Sequence, residues 1–340
     1  MPRRKKRPSK KKPSRRLHPL WALLGLLGLG VLATFLSSRR IRPMDEHDWQ
    51  DLLEDEEPPA RRREPFPSTP LEVPGPAGVL HVDDGGSGGL PVVFVHGLGA
   101  TGAQWRHQLA HLRSTRRALA VDLRGHGRSQ GAGAREYGIG EFADDLAAAV
   151  DDLGLDRFVL AGHSLGSAVA IEYAGREPHR VAGLLLADPN GDQTEIPRRE
   201  LDDFLAALRA EPRDEMRWYF KQVLVGAAPE TVERVLADLE ATPPEALVGA
   251  LESSFAYSPL PALAAYGGPV LSVISDMNTL PYSLHNLVEE LPVRLLTGTS
   301  HWLMLDCPDD FNQALDAFLD RVERASPLSP AAGRGTGRSG

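Results

Sequence analysis

The 340-residue sequence predicts an α/β protein: a mostly parallel sheet covered by helices on both faces, with a helical cap inserted late in the sheet. Two observations predict the sheet. Six short apolar runs, each bounded by turn residues, recur along the chain, and amphipathic helical patterns separate them. A third observation predicts the cap. Nearly 80 residues between Pro189 and Gly267 keep helical spacing and contain no convincing strand.

The chain opens on MPRRKKRPSKKKPSRR, ten positive charges, followed by an uncharged run from Leu20 to Leu36. As a helix, those 17 residues reach about 26 Å at roughly 1.5 Å per residue, the lower limit for crossing a bilayer. The expectation is a basic cytoplasmic tail over 1–18 and a transmembrane signal-anchor over 19–37, with the body outside the cytoplasm. Secretion after signal-peptide cleavage is the competing expectation, although FLSSRR offers a poor cleavage site. Residues 38–77, rich in Pro, Asp and Glu, read as a disordered linker, and 326–340 as a disordered tail. The folded unit is then a core of 78–188 and 268–325 with the cap over 189–267.

Charge narrows the function classes. Thirteen of the 38 basic residues lie within the first 42 positions, where no acid occurs, so the rest of the chain carries 25 basic and 46 acidic residues. A body with a net charge of −21 is a poor nucleic-acid binder. The single cysteine, Cys307, excludes an intramolecular disulfide. No HExxH, CxxC or paired-histidine spacing suggests a metal, and no phosphate-cradling GxxxxGK[ST] appears, so no cofactor is expected.

Within the body, PVVFVHG, RALAVDLRG, DRFVLAGHS, RVAGLLLAD, GPVLSVISD and PVRLLTGTS read as buried strands. The third carries the chemistry. In FVLAGHSLGSAVA the strand breaks at Gly162, presents Ser164, and turns after Gly166 into a helix of small residues. A turn that tight crowds the backbone at two positions, and glycine supplies the missing Cβ atoms. Ser164 is then lifted above the carboxyl end of the sheet at a helix N-terminus, where backbone N–H groups can face an oxyanion. This is a nucleophile elbow, G-x-S-x-G.

With HGLG at 96–99, DLRGHGRS at 122–129 and SHWLMLDCPDDFNQAL from Ser300 added to GHSLG, the chain resembles the α/β-hydrolase superfamily from Val79 to Val322. The branch it resembles also holds small esterases, C–C bond hydrolases, haloalkane dehalogenases and proline iminopeptidases. The resemblance implies the α/β-hydrolase fold, an oxyanion hole from the N–H groups of Leu98 and Leu165, and His301 as the base. It makes DLRGHGRS mainly structural, and His96 and His163 shapers of the oxyanion backbone. Ser164 differs from the aspartate that dehalogenases and epoxide hydrolases place at the elbow.

The acid departs from the pattern. The family places it two residues beyond a Gly-Asp, but here VISDMNTLP puts Asn278 at that position. An amide orients an imidazole without balancing the imidazolium charge. Asp188, ending the strand RVAGLLLAD, is the expected acid, with Asp276 the alternative and Asn278 itself a third possibility. In the cap, Phe204, Leu205, Leu208, Trp218, Tyr219, Phe220, Val223 and Leu224 are candidates for an apolar pocket, most of them for packing the cap down. The expected activity is a serine hydrolase cleaving an ester or related acyl bond of a small, hydrophobic substrate. The alternatives are a non-catalytic ligand binder, motivated by Asn278, and an aminopeptidase or C–C bond hydrolase.

Overall fold

A computed structural model describes residues 69–133 and 136–325. The expected basic tail, signal-anchor and C-terminal tail, and the linker up to residue 68, lie outside the described residues. Among the described residues no helix is long and apolar enough to cross a membrane.

All six strands read from the sequence are present, each trimmed by one to several residues: β3 (Val92–Val95), β4 (Ala118–Val121), β5 (Phe158–His163), β6 (Val181–Ala187), β7 (Val270–Ser275) and β8 (Val293–Leu296). They pair in parallel: β3 to β6 are continuous apolar runs buried on both faces, whereas β8, at the sheet edge, leaves Val293, Arg294 and Leu295 exposed. Two further strands precede them: β1 (Thr69–Gly75) and β2 (Gly78–Gly85), which pair antiparallel in register. The sheet order is β1-β2-β4-β3-β5-β6-β7-β8.

β1 corrects the linker expectation at its C-terminal end. Pro70 and Pro74 make TPLEVPG look unstructured, but an edge strand tolerates proline because one side of it needs no partner. Val73, only 2% exposed, anchors β1 to the core, and Leu80 and Val82 do the same for β2.

The connections run through helices α1 (Arg106–Leu112), α2 (Ile139–Asp152) and α3 (Leu165–Arg176). After β6 come α4 (Arg198–Ala210), α5 (Pro212–Val223), α6 (Pro229–Ala241), α7 (Pro244–Ala256) and α8 (Leu260–Tyr266). After β7 follow the short α9 (Leu284–Leu287), then, beyond β8, α10 (Leu303–Asp306) and the last helix α11 (Pro308–Ala325). The helical stretch expected as cap over 189–267 does not end as one unit. α8 lies against α3, where a Cβ on Gly175 would fall 2.7 Å from the Ala262 carbonyl oxygen, and Tyr266 Oη donates to Val181 O at 3.2 Å. This last helix therefore belongs with the layer that covers the sheet.

The loop after β4 is structural, as its motif implies. Asp122 accepts from the backbone N–H of Gly102 (2.6 Å) and Arg128 (2.9 Å), and Arg124 forms a buried, two-pronged ion pair with Asp145 on α2. His96 donates from Nδ1 to Gly97 O (2.7 Å) and accepts at Nε2 from Leu123 N (3.0 Å), which ties β3 to this loop.

One core position looks unfavourable. Ser272 of β7 is fully buried, and its hydroxyl finds no partner among the described residues. Burying an unpaired hydroxyl costs free energy that a methyl group does not. Ser272→Ala should stabilise the protein by about 1 kcal/mol, read as a higher urea midpoint with an unchanged slope.

Candidate active site

Ser164 follows β5 with φ 51° and ψ −115°, a backbone conformation an L-residue adopts only under constraint. The constraint is visible on both sides. A Cβ on Gly162 would lie 2.2 Å from Gly166 O, and one on Gly166 would lie 2.4 Å from His96 O. Both obstacles are backbone, so neither can yield. Ser164 is thereby fixed at the N-terminus of α3, whose first N–H groups, Leu165 among them, no intrahelical carbonyl can satisfy.

Asp188 sits at the equivalent place one strand over, directly after β6, also with a positive φ of 44°. Its carboxylate is nearly enclosed and every neighbour donates to it. Oδ1 accepts from Ser275 N (2.9 Å) and Asn278 Nδ2 (3.1 Å); Oδ2 accepts from Ser275 Oγ (2.9 Å) and faces His301 Nδ1 at 2.6 Å. Burial alone would raise its pKa. The His301 ring and the Ser275 and Asn278 donors outweigh that and hold it below the ordinary carboxylate value.

His301 lies in the loop between β8 and α10. Its Nδ1–H is committed to Asp188, so Nε2 is the nitrogen left to accept a proton. Four further bonds hold this loop. His163, the residue before Ser164, donates from Nε2 to the His301 carbonyl (2.9 Å); burial keeps that imidazole neutral, with a pKa well below 6.5. Gly97 leaves room for it, since a Cβ there would lie 2.6 Å from His163 Nδ1. Asp306 Oδ2 accepts from both Ser300 N (2.8 Å) and Ser300 Oγ (2.6 Å). From the cap side, His301 N donates to Val223 O, the last residue of α5, at 3.2 Å.

Ser164, His301, Leu98 and Leu165 line one cavity, closed by Tyr219, Phe220 and Val223 of α5, Leu251 and Ser254 of α7, and Trp302. Its free volume is about 20 Å³, room for one water molecule. Tyr219, Phe220 and Val223 bring α5 to this cavity, and α5 is also the helix bonded to the histidine loop. Of the eight cap residues considered from the sequence, Tyr219, Phe220 and Val223 face the cavity. Phe204, Leu208 and Leu224 are buried in the packing, and Leu205 and Trp218 are partly buried against it.

The structure thus brings Ser164, Asp188 and His301 together and leaves Asp276 out: Asp276 Oδ2 accepts from Gly298 N at 2.7 Å, in the turn after β8. In the structure Ser164 Oγ points to Asn190 Oδ1, 3.2 Å away. Asn190 was not singled out in the sequence. Asn278, read as a sign of a defective acid, bonds both Asp188 and, at 3.0 Å, the carbonyl of Pro189.

A strained serine at the strand-to-helix elbow, an imidazole bonded to a carboxylate, and an eight-stranded sheet of this order define the class. The alpha/beta hydrolase family profile matches residues 92–314, and the chain belongs to that family. Among curated proteins, it is 30% identical over 248 residues to the dihydrolipoyllysine-residue acetyltransferase component of the acetoin cleaving system from Pseudomonas putida, covering 69% of this chain and 65% of that one. It is 41% identical over 111 residues to a lipase from Mycobacterium tuberculosis, covering 32% and 41%. The matched stretches therefore span less than two thirds of either relative. Among solved structures, a thermophilic esterase from Thermogutta terrifontis aligns with a TM-score of 0.64 and 25% identity over 75% of this chain and 99% of its own. An N-acyl homoserine lactone degrading enzyme aligns with a TM-score of 0.64 and 26% identity over 73% and 100%.

Proposed function

We propose that the protein is a serine hydrolase that cleaves a carboxylic ester, or a related acyl bond, of a small molecule through an acyl-enzyme. The observation that carries this is the 2.6 Å contact between His301 Nδ1 and Asp188, with His301 lining the same cavity as the elbow serine. Rotation of the Ser164 side chain from Asn190 toward His301 would let Nε2 take the hydroxyl proton as Oγ attacks the carbonyl carbon. The N–H groups of Leu98 and Leu165 would receive the oxyanion. His301 would then pass its proton to the departing alcohol, and a water activated by the same nitrogen would release the acid. Asp188, kept ionised by its donors, would stabilise the imidazolium in both steps. Asn278 donates to that carboxylate, which removes the motive for reading the protein as a non-catalytic binder.

A fluorophosphonate probe tests the reading. It is expected to label the folded wild-type protein and not Ser164→Ala, and a panel of p-nitrophenyl esters should be hydrolysed only by the labelled form. Absence of labelling in a folded protein would overturn the proposal. The charge step across the first 42 residues further supports membrane attachment through residues 19–37, with the enzyme body extracytoplasmic. Sedimentation of the full chain with membranes, together with cleavage of the body by protease added to intact cells, is the expected result.

A further inference from the structure

The geometry points to Asn190 as a specificity-determining residue: its carboxamide receives a hydroxyl or amide substituent carried one or two carbons from the scissile carbonyl. This rests on the serine-hydrolase reading and names the substrate class of that site. Beside Ser164 and His301, the cavity wall is largely apolar, built of Phe220, Val223, Leu251 and Trp302. Asn190 and Ser254 form a polar face within it.

An asparagine that serves only to shape a turn bonds to backbone a residue or two away. Asn190 does not. Its partners are Ser164 Oγ at 3.2 Å and Ser254 Oγ at 3.5 Å, both groups of the cavity wall. Its orientation is set from behind. Ser254 gives its hydroxyl proton to Gln193 Oε1 at 2.6 Å, which leaves Ser254 Oγ as an acceptor for Asn190 Nδ2 and turns Oδ1 toward Ser164. Ser254 and Gln193 are 4% and 8% exposed, so this support is buried polar structure, which a chain keeps only at a cost in desolvation.

When Ser164 turns to His301, Oδ1 loses its donor inside a cavity with space for a single water. An acceptor left without a donor in this half-buried position is costly, and a substrate hydroxyl or amide N–H restores the bond. The amide also keeps a donor, since only one weak bond uses Nδ2 among the described residues. An unsubstituted acyl chain would leave Oδ1 without a donor and the second Nδ2 proton without an acceptor, and sites built to bond a polar substituent discriminate on that ground. The position follows from distance. An attacked carbonyl carbon sits about 3 Å from Oγ, and Oδ1 lies 3.2 Å from the same oxygen, so the group it meets is a near neighbour of the carbonyl.

The test compares kcat/KM for p-nitrophenyl 3-hydroxybutyrate and p-nitrophenyl butyrate. The wild-type protein is expected to favour the hydroxy ester by about tenfold, and Asn190→Leu to bring the ratio close to one. Ser254→Ala, which frees the amide to flip, should give an intermediate ratio. A wild-type ratio at or below one would overturn the assignment whether or not the variants fold, as would a ratio unchanged in a folded Asn190→Leu protein. Binding supplies a readout independent of turnover. By ligand-observed NMR, Ser164→Ala protein should bind 3-hydroxybutyramide more tightly than butyramide, and lose the difference when Asn190→Leu is added. Failure of probe labelling and ester hydrolysis would sink the serine-hydrolase reading. Equal binding of the two amides would sink the role of Asn190.

Discussion

Asp188→Asn is expected to lower kcat by about 10⁴-fold while leaving the protein folded. The size of the effect follows from the donors around the carboxylate. Ser275 N and Asn278 Nδ2 both require an acceptor at Oδ1, so the new amide oxygen must occupy that side. Its NH2 group is then forced toward His301 Nδ1, where Oδ2 now accepts at 2.6 Å. The imidazole can meet a donor only by shifting its own proton to Nε2, the nitrogen that must take the proton of Ser164. Geometry survives and the base is lost. Asp276→Asn should change kcat by less than about twofold, because its carboxylate serves the Gly298 turn. Steady-state kinetics on one ester decides between them; equal losses, or negligible ones in both, would reject Asp188 as the acid. The same substitution should alter acid stability. The folded pKa of Asp188 lies below its ordinary 3.8, so its contribution to stability is present above that value and lost as pH falls through the lower folded pKa. Asp188→Asn removes that contribution, and its unfolding free energy should fall less steeply than wild type in that acid range.

Fold and site are legible in the sequence where a local pattern dictates local geometry. GHSLG gave the elbow because the two backbone collisions that exclude a Cβ at Gly162 and Gly166 arise within five residues and the neighbouring β3 end. The central parallel strands β3 to β6 were legible because burial on both faces leaves an unbroken apolar run, and β8 was legible although most of it is exposed at the sheet edge. β1 was not, since Pro70 and Pro74 break its alternation and only pairing with β2 makes the strand worthwhile. The end of the cap was obscured for the same reason: α8 is helical like its neighbours, and only its contact with Gly175 assigns it to the sheet layer.

The acid shows the limit most clearly. Asp188 and Asp276 each follow a strand at the carboxyl edge of the sheet, and nothing in either local sequence says which one His301 will meet. The difference is made by the left-handed backbone at Asp188 and by Ser275, two bonds from a neighbouring strand that orient its carboxylate. Asn190 was missed because its chemistry depends on Ser254 and Gln193, one of them more than sixty residues away. Patterns within a turn cannot carry such a partner.

Asn278→Asp is the second large effect expected, and its direction is opposite to what the family pattern suggests. It restores a carboxylate at the position where the pattern places the acid, yet it should lower kcat by about 10²-fold near neutral pH. In the structure Asn278 Nδ2 donates to Asp188 Oδ1 at 3.1 Å and to Pro189 O at 3.0 Å. A carboxylate there faces two acceptors and donates to neither. Two carboxylates about 3 Å apart do not both ionise; they share a proton, and the pKa of Asp188, now held low, is driven up. While that proton is shared, the imidazolium formed on His301 has less charge to lean on. Activity should therefore recover as pH rises through the upper pKa of the pair, which moves the acid limb of the pH profile upward. Asn278→Ala separates the causes, since it removes the donor without adding charge. Its loss should be about tenfold, and its pH profile should move far less than that of Asn278→Asp, because only one donor to Asp188 is lost. A pH profile that coincides for Asn278→Asp and Asn278→Ala would reject repulsion as the cause. An Asn278→Asp enzyme as active as the parent would mean that this position can itself orient His301, and that Asp188 is one of two sites from which the fold can supply its acid.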